Sequence, residues 1–160
     1  TGIDLAPGMT EVARLHAAEA GLDIDYRVAA AEELAAGAER FDVITCMEML
    51  EHVPRPQHML ATLASLARPG GAVFVSTLNR NLKAFLLAIV GAEYVLNLLP
   101  RGTHEYDRFI RPSELARWAR AAGLTPRAIA GIELNPYTET CRLTSDPSVN
   151  YIMHLERVRA

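Results

Sequence analysis

Three side chains within one short stretch, Glu48, Glu51 and His52, can each bind a metal ion or move a proton. On a helical turn, positions i, i+3 and i+4 share one face, so this spacing lets both carboxylates and the imidazole converge. Two carboxylates and an imidazole suit a divalent cation. The oxygens favour Mg²⁺ or Mn²⁺, and the imidazole would also suit Zn²⁺ or Fe²⁺. Acidic residues also crowd ordinary surface turns, so the plainer alternative is a capped turn with solvated glutamates and a histidine over a helix end. Asp4 is a second candidate. A carboxylate where a nucleotide-binding strand runs out accepts hydrogen bonds from ribose hydroxyls, or else it caps the following turn.

The elements that must position these groups follow from the flanking residues. Phe41–Cys46 (FDVITC) is apolar and β-branched, the pattern of a strand buried inside a parallel sheet. Val53-Pro54-Arg55-Pro56 stops any long helix after His52. The chemistry therefore sits just past the carboxyl end of a central strand, where open α/β sheets bind ligands. Upstream, residues 1–5 read as the end of a strand, Pro7-Gly8 as a turn, and 9–20 as a helix closed by Gly21 at C′. Residues 24–28 form a second strand and 31–36 a short helical turn.

Downstream, Pro56 opens a helix with Met59, Leu60, Leu63, Leu66 and Ala67 at helical spacing. Residues 68–71 break it and launch a strand over 72–76. Pro112 starts another helix, ended by Gly123. Residues 124–134 and 149–158 are the last two strands. Alternating strands and helices predict one α/β domain with a doubly wound, mostly parallel, Rossmann-like sheet that ends in an antiparallel edge hairpin.

The composition excludes several classes. A chain of 160 residues, half of them hydrophobic and 22% charged, is long enough for one domain with a core. The net charge of −3, without a basic block, argues against nucleic acid as the partner. The two cysteines, Cys46 and Cys141, lack metal-type spacing, and a strand position for Cys46 suits a reduced cytosolic thiol. No signal-peptide pattern is present. The start in mid-strand, without an initiator Met, predicts a lost N-terminal part that includes the first strand and the Gly-rich loop. Residues 81–101 hold an apolar run that is too short to span a bilayer, which needs about 20 apolar residues. It is either a buried core helix or a surface that meets a membrane or covers a pocket for a greasy substrate.

TGIDLA, FDVITCMEMLEHVPRP, RPGGAVFVSTLNRN, VGAEYVLNLLPRGTHEYDRFIRPSEL and VNYIMH together resemble the ubiquinone-biosynthesis O-methyltransferases. The resemblance implies a seven-stranded methyltransferase sheet with a hydrophobic insertion at about 81–108. It also implies O-methylation of phenolic hydroxyls on polyprenylated ubiquinone precursors from S-adenosylmethionine. Asp4 would hold the cofactor ribose and Met47 would line its pocket. Glu48, Glu51 and His52 match the family's ligands for a divalent cation, expected to be Mg²⁺. His52 would be the general base if it is not a ligand. A polyprenyl phenol or quinol is the implied substrate, with peripheral membrane contact through about 84–99 at the inner face of the bacterial plasma membrane. A quinone-synthesis complex is a further implied partner. Without the Gly-rich loop, the chain alone is expected to bind cofactor poorly. The competing readings are a methyltransferase of another small phenol, a dinucleotide-binding oxidoreductase, and a non-catalytic membrane-associated subunit.

Overall fold

The computed structural model describes residues 1–86, 105–135 and 140–159. It consists of two compact units, residues 1–40 and 41–160.

The first unit is a parallel strand–helix–strand motif. Strand β1 (Gly2–Asp4) pairs in parallel with β2 (Tyr26–Val28), Gly2 opposite Tyr26 and Asp4 opposite Val28. Helix α1 (Pro7–Glu19) connects them, and α2 (Ala31–Ala36) follows β2. Pro7 starts α1 where a missing N–H is harmless. The helix ends in a Schellman motif, with Leu22 N–H donating to Ala17 O at 2.8 Å and Gly21 N–H to Ala18 O at 3.1 Å. Gly21 takes φ 66° to close it, the role its position predicts.

The second unit contains a five-stranded sheet. Its strands are β3 (Phe41–Cys46), β4 (Ala67–Leu78), β5 (Leu124–Asn135), β6 (Thr140–Thr144) and β7 (Asn150–Arg157), in spatial order β3-β4-β7-β5-β6. β3 and β4 are parallel, and the remaining pairs are antiparallel. Helix α3 (Pro56–Leu66) joins β3 to β4, and α4 (Pro112–Ala121) precedes β5. One face of the sheet is sealed. Val73, Val75 and Thr77 of β4 face Leu155, Met153 and Tyr151 of β7, all buried; α3 packs on β4 and α4 on β5, and Leu60, Leu63, Leu115 and Ala119 of these helices are buried.

Three details differ from the sequence pattern. β3 pairs only with β4 among the described strands, and its Asp42, Val43 and Thr45 are exposed, where the apolar run predicts a strand buried inside the sheet. An apolar β-branched run has the same appearance in either place. β4 begins at Ala67, not at residue 72; its register with β3 slips between Phe41 and Val43, which absorbs Arg68–Gly71. A side chain at Gly71 would meet Asp42 O at 3.1 Å and Arg68 O at 2.8 Å. Finally, the segment read as a closing loop contains β6. β7 is therefore interior, and the edge hairpin is β5–β6.

The far end of β7 fastens α3. The Arg157 guanidinium donates to Ala64 O, to Ser65 O at 3.1 Å and to Ala67 O at 2.8 Å, serving carbonyls that the helix end leaves unpaired. Replacing Arg157 by Leu is expected to lower the unfolding free energy by about 1–3 kcal/mol. Urea denaturation measures this, and an unchanged midpoint would mean that water serves these carbonyls equally well.

Candidate active site

The site is built where β3 gives way to α3, against the end of β4. Cys46 is the last buried residue of the strand, and Met47 leaves it 47% exposed. Glu48 then adopts φ 47°, a left-handed conformation unusual for a residue with a side chain. Ser76 holds it there. The Glu48 N–H is shared between Ser76 Oγ at 2.9 Å and Ser76 O at 3.2 Å. A tight turn follows, closed by His52 N–H donating to Met49 O at 2.9 Å. Leu50, 1% exposed, pins this turn to the core, so that Glu51 is carried inward and left 4% exposed.

A carboxyl buried to that degree must be compensated by hydrogen bonds. Thr77 Oγ1 donates to Glu51 Oε2 at 2.7 Å. Glu51 Oε1 is buried and has no hydrogen-bond partner among the described residues. The Glu48 carboxyl faces the same place. Desolvation by the surrounding protein, and after it the charge and hydrogen bonding of Glu51, push it up to about 7, while its bond with Ser76 works in the opposite direction. Glu48 keeps contact with solvent, and water moderates that rise. Burial, then the Glu51 charge, raises the Cys46 thiol to about 12, so this cysteine is no nucleophile. Burial and the charges of Glu51, Glu114 and Glu48 also raise the Tyr151 phenol, whose hydroxyl donates to Ile110 O at 3.0 Å.

The structure therefore brings together two of the three residues predicted to converge. The i, i+3, i+4 argument assumed a helical turn, but positive φ at Glu48 breaks that geometry; Glu51 is buried, while Glu48 and His52 are exposed. Among the described residues, no group of three or more His, Cys, Asp and Glu side chains is placed to hold a metal ion. The trio of Glu48, Glu51 and His52 is not assembled. The donor set that is present, two carboxylates with one unpartnered buried oxygen, still fits Mg²⁺, which commonly takes one or two carboxylates and completes its shell with water and substrate.

Asp4 lies at the carboxyl end of β1. Its Oδ1 accepts the Ala6 N–H at 2.7 Å, so the turn-capping alternative is realised. The carboxylate is exposed, and Oδ2 carries no hydrogen bond among the described residues, which suits an acceptor for a hydroxyl. Sequence reasoning missed Ser76 and Thr77. Their signal was two consecutive hydroxyl residues at 0% exposure, at the end of an otherwise apolar strand.

The predicted apolar surface over 84–99 falls mostly outside the described residues. Where it begins, Ala84 is buried with Leu78 and Phe109, next to Tyr106 and Val149. Phe85 meets Tyr106 edge to face, with centroids 5.5 Å apart. No helix among the described residues is long and apolar enough to cross a membrane.

Comparison with known proteins agrees with this architecture. Residues 1–129 match the family described as a methyltransferase domain. The chain is 60% identical over 154 residues to the ubiquinone biosynthesis O-methyltransferase of Bordetella pertussis, covering 96% of this chain and 64% of the relative. It is 58% identical to the protein of the same name from Chromobacterium violaceum, covering 98% of this chain and 68% of that one. The chain thus spans about two thirds of the length of these relatives. Among solved structures it superposes on magnesium protoporphyrin IX methyltransferase from Synechocystis with bound SAH, with a TM-score of 0.67, 18% identity and coverage of 98% of this chain and 63% of that one. A second, solved in work on conversion of a disulfide bond into a thioacetal group during echinomycin biosynthesis, gives a TM-score of 0.70 at 23% identity, covering 98% and 65% of the two chains. At such identities the two structures show the fold.

The raised Glu48 carboxyl predicts a pH dependence of stability. The folded state holds this proton more tightly than an unfolded chain does. Its contribution is therefore fully present below about 4.5 and is lost as pH rises through about 7. With chelator present, the urea midpoint should fall across that window, and Glu48→Gln should flatten the profile. The same slope in the variant would place the titrating group elsewhere.

Proposed function

Since the chain belongs to the methyltransferase-domain family, and within it to the ubiquinone biosynthesis O-methyltransferases, we propose that it transfers a methyl group from S-adenosylmethionine to a phenolic hydroxyl of a polyprenylated ubiquinone precursor. The observation that carries this is the buried carboxyl of Glu51 beside Glu48 at the carboxyl end of β3, with Glu51 Oε1 unpartnered among the described residues.

Methyl transfer to a phenol needs an oxyanion in line with the carbon it attacks, so the proton must leave and the oxygen must be held. Glu48, with its carboxyl raised to about 7, is matched to accept that proton near neutral pH. Glu51, fixed by Thr77, orients the acceptor through its open oxygen. His52, exposed on the same turn, is the alternative proton acceptor. Asp4 would accept a ribose hydroxyl of the cofactor, and Met47 would contribute apolar contact to it. S-adenosylmethionine supplies the electrophilic methyl group. Where a divalent cation, Mg²⁺ by donor chemistry, is held by Glu48 and Glu51, it supplies positive charge that lowers the pKa of a phenol.

A polyprenyl acceptor is dissolved in lipid. The apolar composition of 84–99 supports peripheral contact with the inner face of the bacterial plasma membrane, on sequence grounds. A shared complex with other quinone-synthesis enzymes would keep so greasy an intermediate from being lost.

The test is transfer of labelled methyl to a short-tailed demethylubiquinol, with products identified by mass spectrometry. Glu51→Ala should lower kcat at least about 100-fold. Loss of turnover with chelator would support the cation, and turnover indifferent to chelator would leave Glu48 as the base alone. His52→Ala should retain most activity. Cofactor binding without methylation of any quinol would point instead to another small phenol.

For the cofactor, Asp4→Ala should weaken S-adenosylmethionine about tenfold or more by calorimetry, the scale of one lost charge-assisted hydrogen bond. An unchanged Kd would leave Asp4 as a turn cap.

A further inference from the structure

We infer that Thr77 is a positioning residue, which selects the Glu51 oxygen that faces the reaction. The inference rests on the reading of Glu51 as part of the active site.

The geometry is specific. Thr77 is 0% exposed and its hydroxyl donates to Glu51 Oε2 at 2.7 Å, while Oε1 of the same buried carboxyl has no hydrogen-bond partner among the described residues. A hydroxyl has one proton to donate. Given to Oε2, that proton distinguishes two oxygens that are otherwise equivalent and fixes the plane of the carboxyl. The side chain is itself fixed, because Thr77 lies between Ser76 and Leu78 in a paired strand, directly opposite Tyr151. The preceding residue fixes the backbone of the other acidic residue, since Ser76 Oγ accepts the Glu48 N–H at 2.9 Å. Two consecutive hydroxyls on β4 therefore orient two acidic residues on the neighbouring turn. Nothing about packing requires this. Valine has the shape of threonine and would fill the same space in a sheet face otherwise made of Val73 and Val75.

That isostere supplies the test, on the full chain. Thr77→Val removes the donor and keeps the volume, whereas Thr77→Ser removes the methyl group and keeps the donor. Thr77→Val should lower kcat about 10–100-fold, the usual effect of removing a group that orients a functional side chain. The KM for S-adenosylmethionine should stay within roughly twofold, and Thr77→Ser should restore most of the loss. A second readout needs no turnover. The infrared carboxylate stretch of Glu51, identified by difference against Glu51→Gln, should shift in Thr77→Val and return in Thr77→Ser.

A wild-type kcat in Thr77→Val would overturn the inference. So would a serine variant as impaired as the valine variant, which would make the threonine methyl group the feature that counts. If the wild-type protein methylates no quinol, the proposed substrate fails. The infrared band still decides the role of Thr77, and a band unmoved in the valine variant would overturn it.

Discussion

Burying the carboxyl of Glu51 is the constraint on which the rest of the site depends. An ion taken out of water costs several kcal/mol unless partners replace the lost hydration. Glu51 is 4% exposed, and Thr77 donates a hydrogen bond to its Oε2. For Thr77 to be there, β4 must run to Leu78 in parallel register with β3, Cys46 opposite Val75. For Glu51 to reach it, the chain must reverse immediately after Cys46, which takes Glu48 through positive φ at a cost of about 1–3 kcal/mol. Strain, an orphaned polar atom and a displaced pKa thus occur within a few residues. A fold selected for stability alone would remove them, and their coincidence at the carboxyl end of a parallel strand is what a reaction site shows.

The residues after Thr77 continue the same economy of design. Leu78 enters the small core with Ala84 and Phe109. Asn79 Nδ2 donates to Pro147 O at 2.9 Å and Asn81 Nδ2 to Ser148 O at 2.6 Å, fastening the loop that leads into β7. Between them, Arg80 pairs with Glu114 and accepts from Arg111 at its carbonyl. Glu114 also takes the Arg111 N–H at 3.0 Å, capping α4. One continuous hexapeptide, Ser76–Asn81, therefore orients the acidic pair at its start and ties β7 and α4 to the sheet at its end.

Much of this was legible in the sequence because local chemistry enforces it. Gly21 closes α1, Pro56 and Pro112 open helices, and Phe41–Cys46 is a strand ending at the site, each as composition dictates. Asp4, Glu48 and Glu51 were identifiable as carboxylates placed after strand ends. What was not legible depends on tertiary partners. Whether β3 is covered on both sides is not encoded in its own apolar run, and β6 is a short exposed strand without a strong alternating pattern. Periodicity reports faces of a helix, and the backbone at Glu48 is held out of helical geometry by a hydroxyl 28 residues away. The role of Thr77 was hidden for the same reason, since its partner is 26 residues upstream.

The most direct measurement is a crystal structure of the chain with S-adenosylhomocysteine and an acceptor phenol bound together. The account predicts the acceptor oxygen within hydrogen-bonding distance of Glu51 Oε1, with Thr77 still donating to Oε2. A phenol seated elsewhere, with Oε1 still unpartnered in the complex, would contradict it.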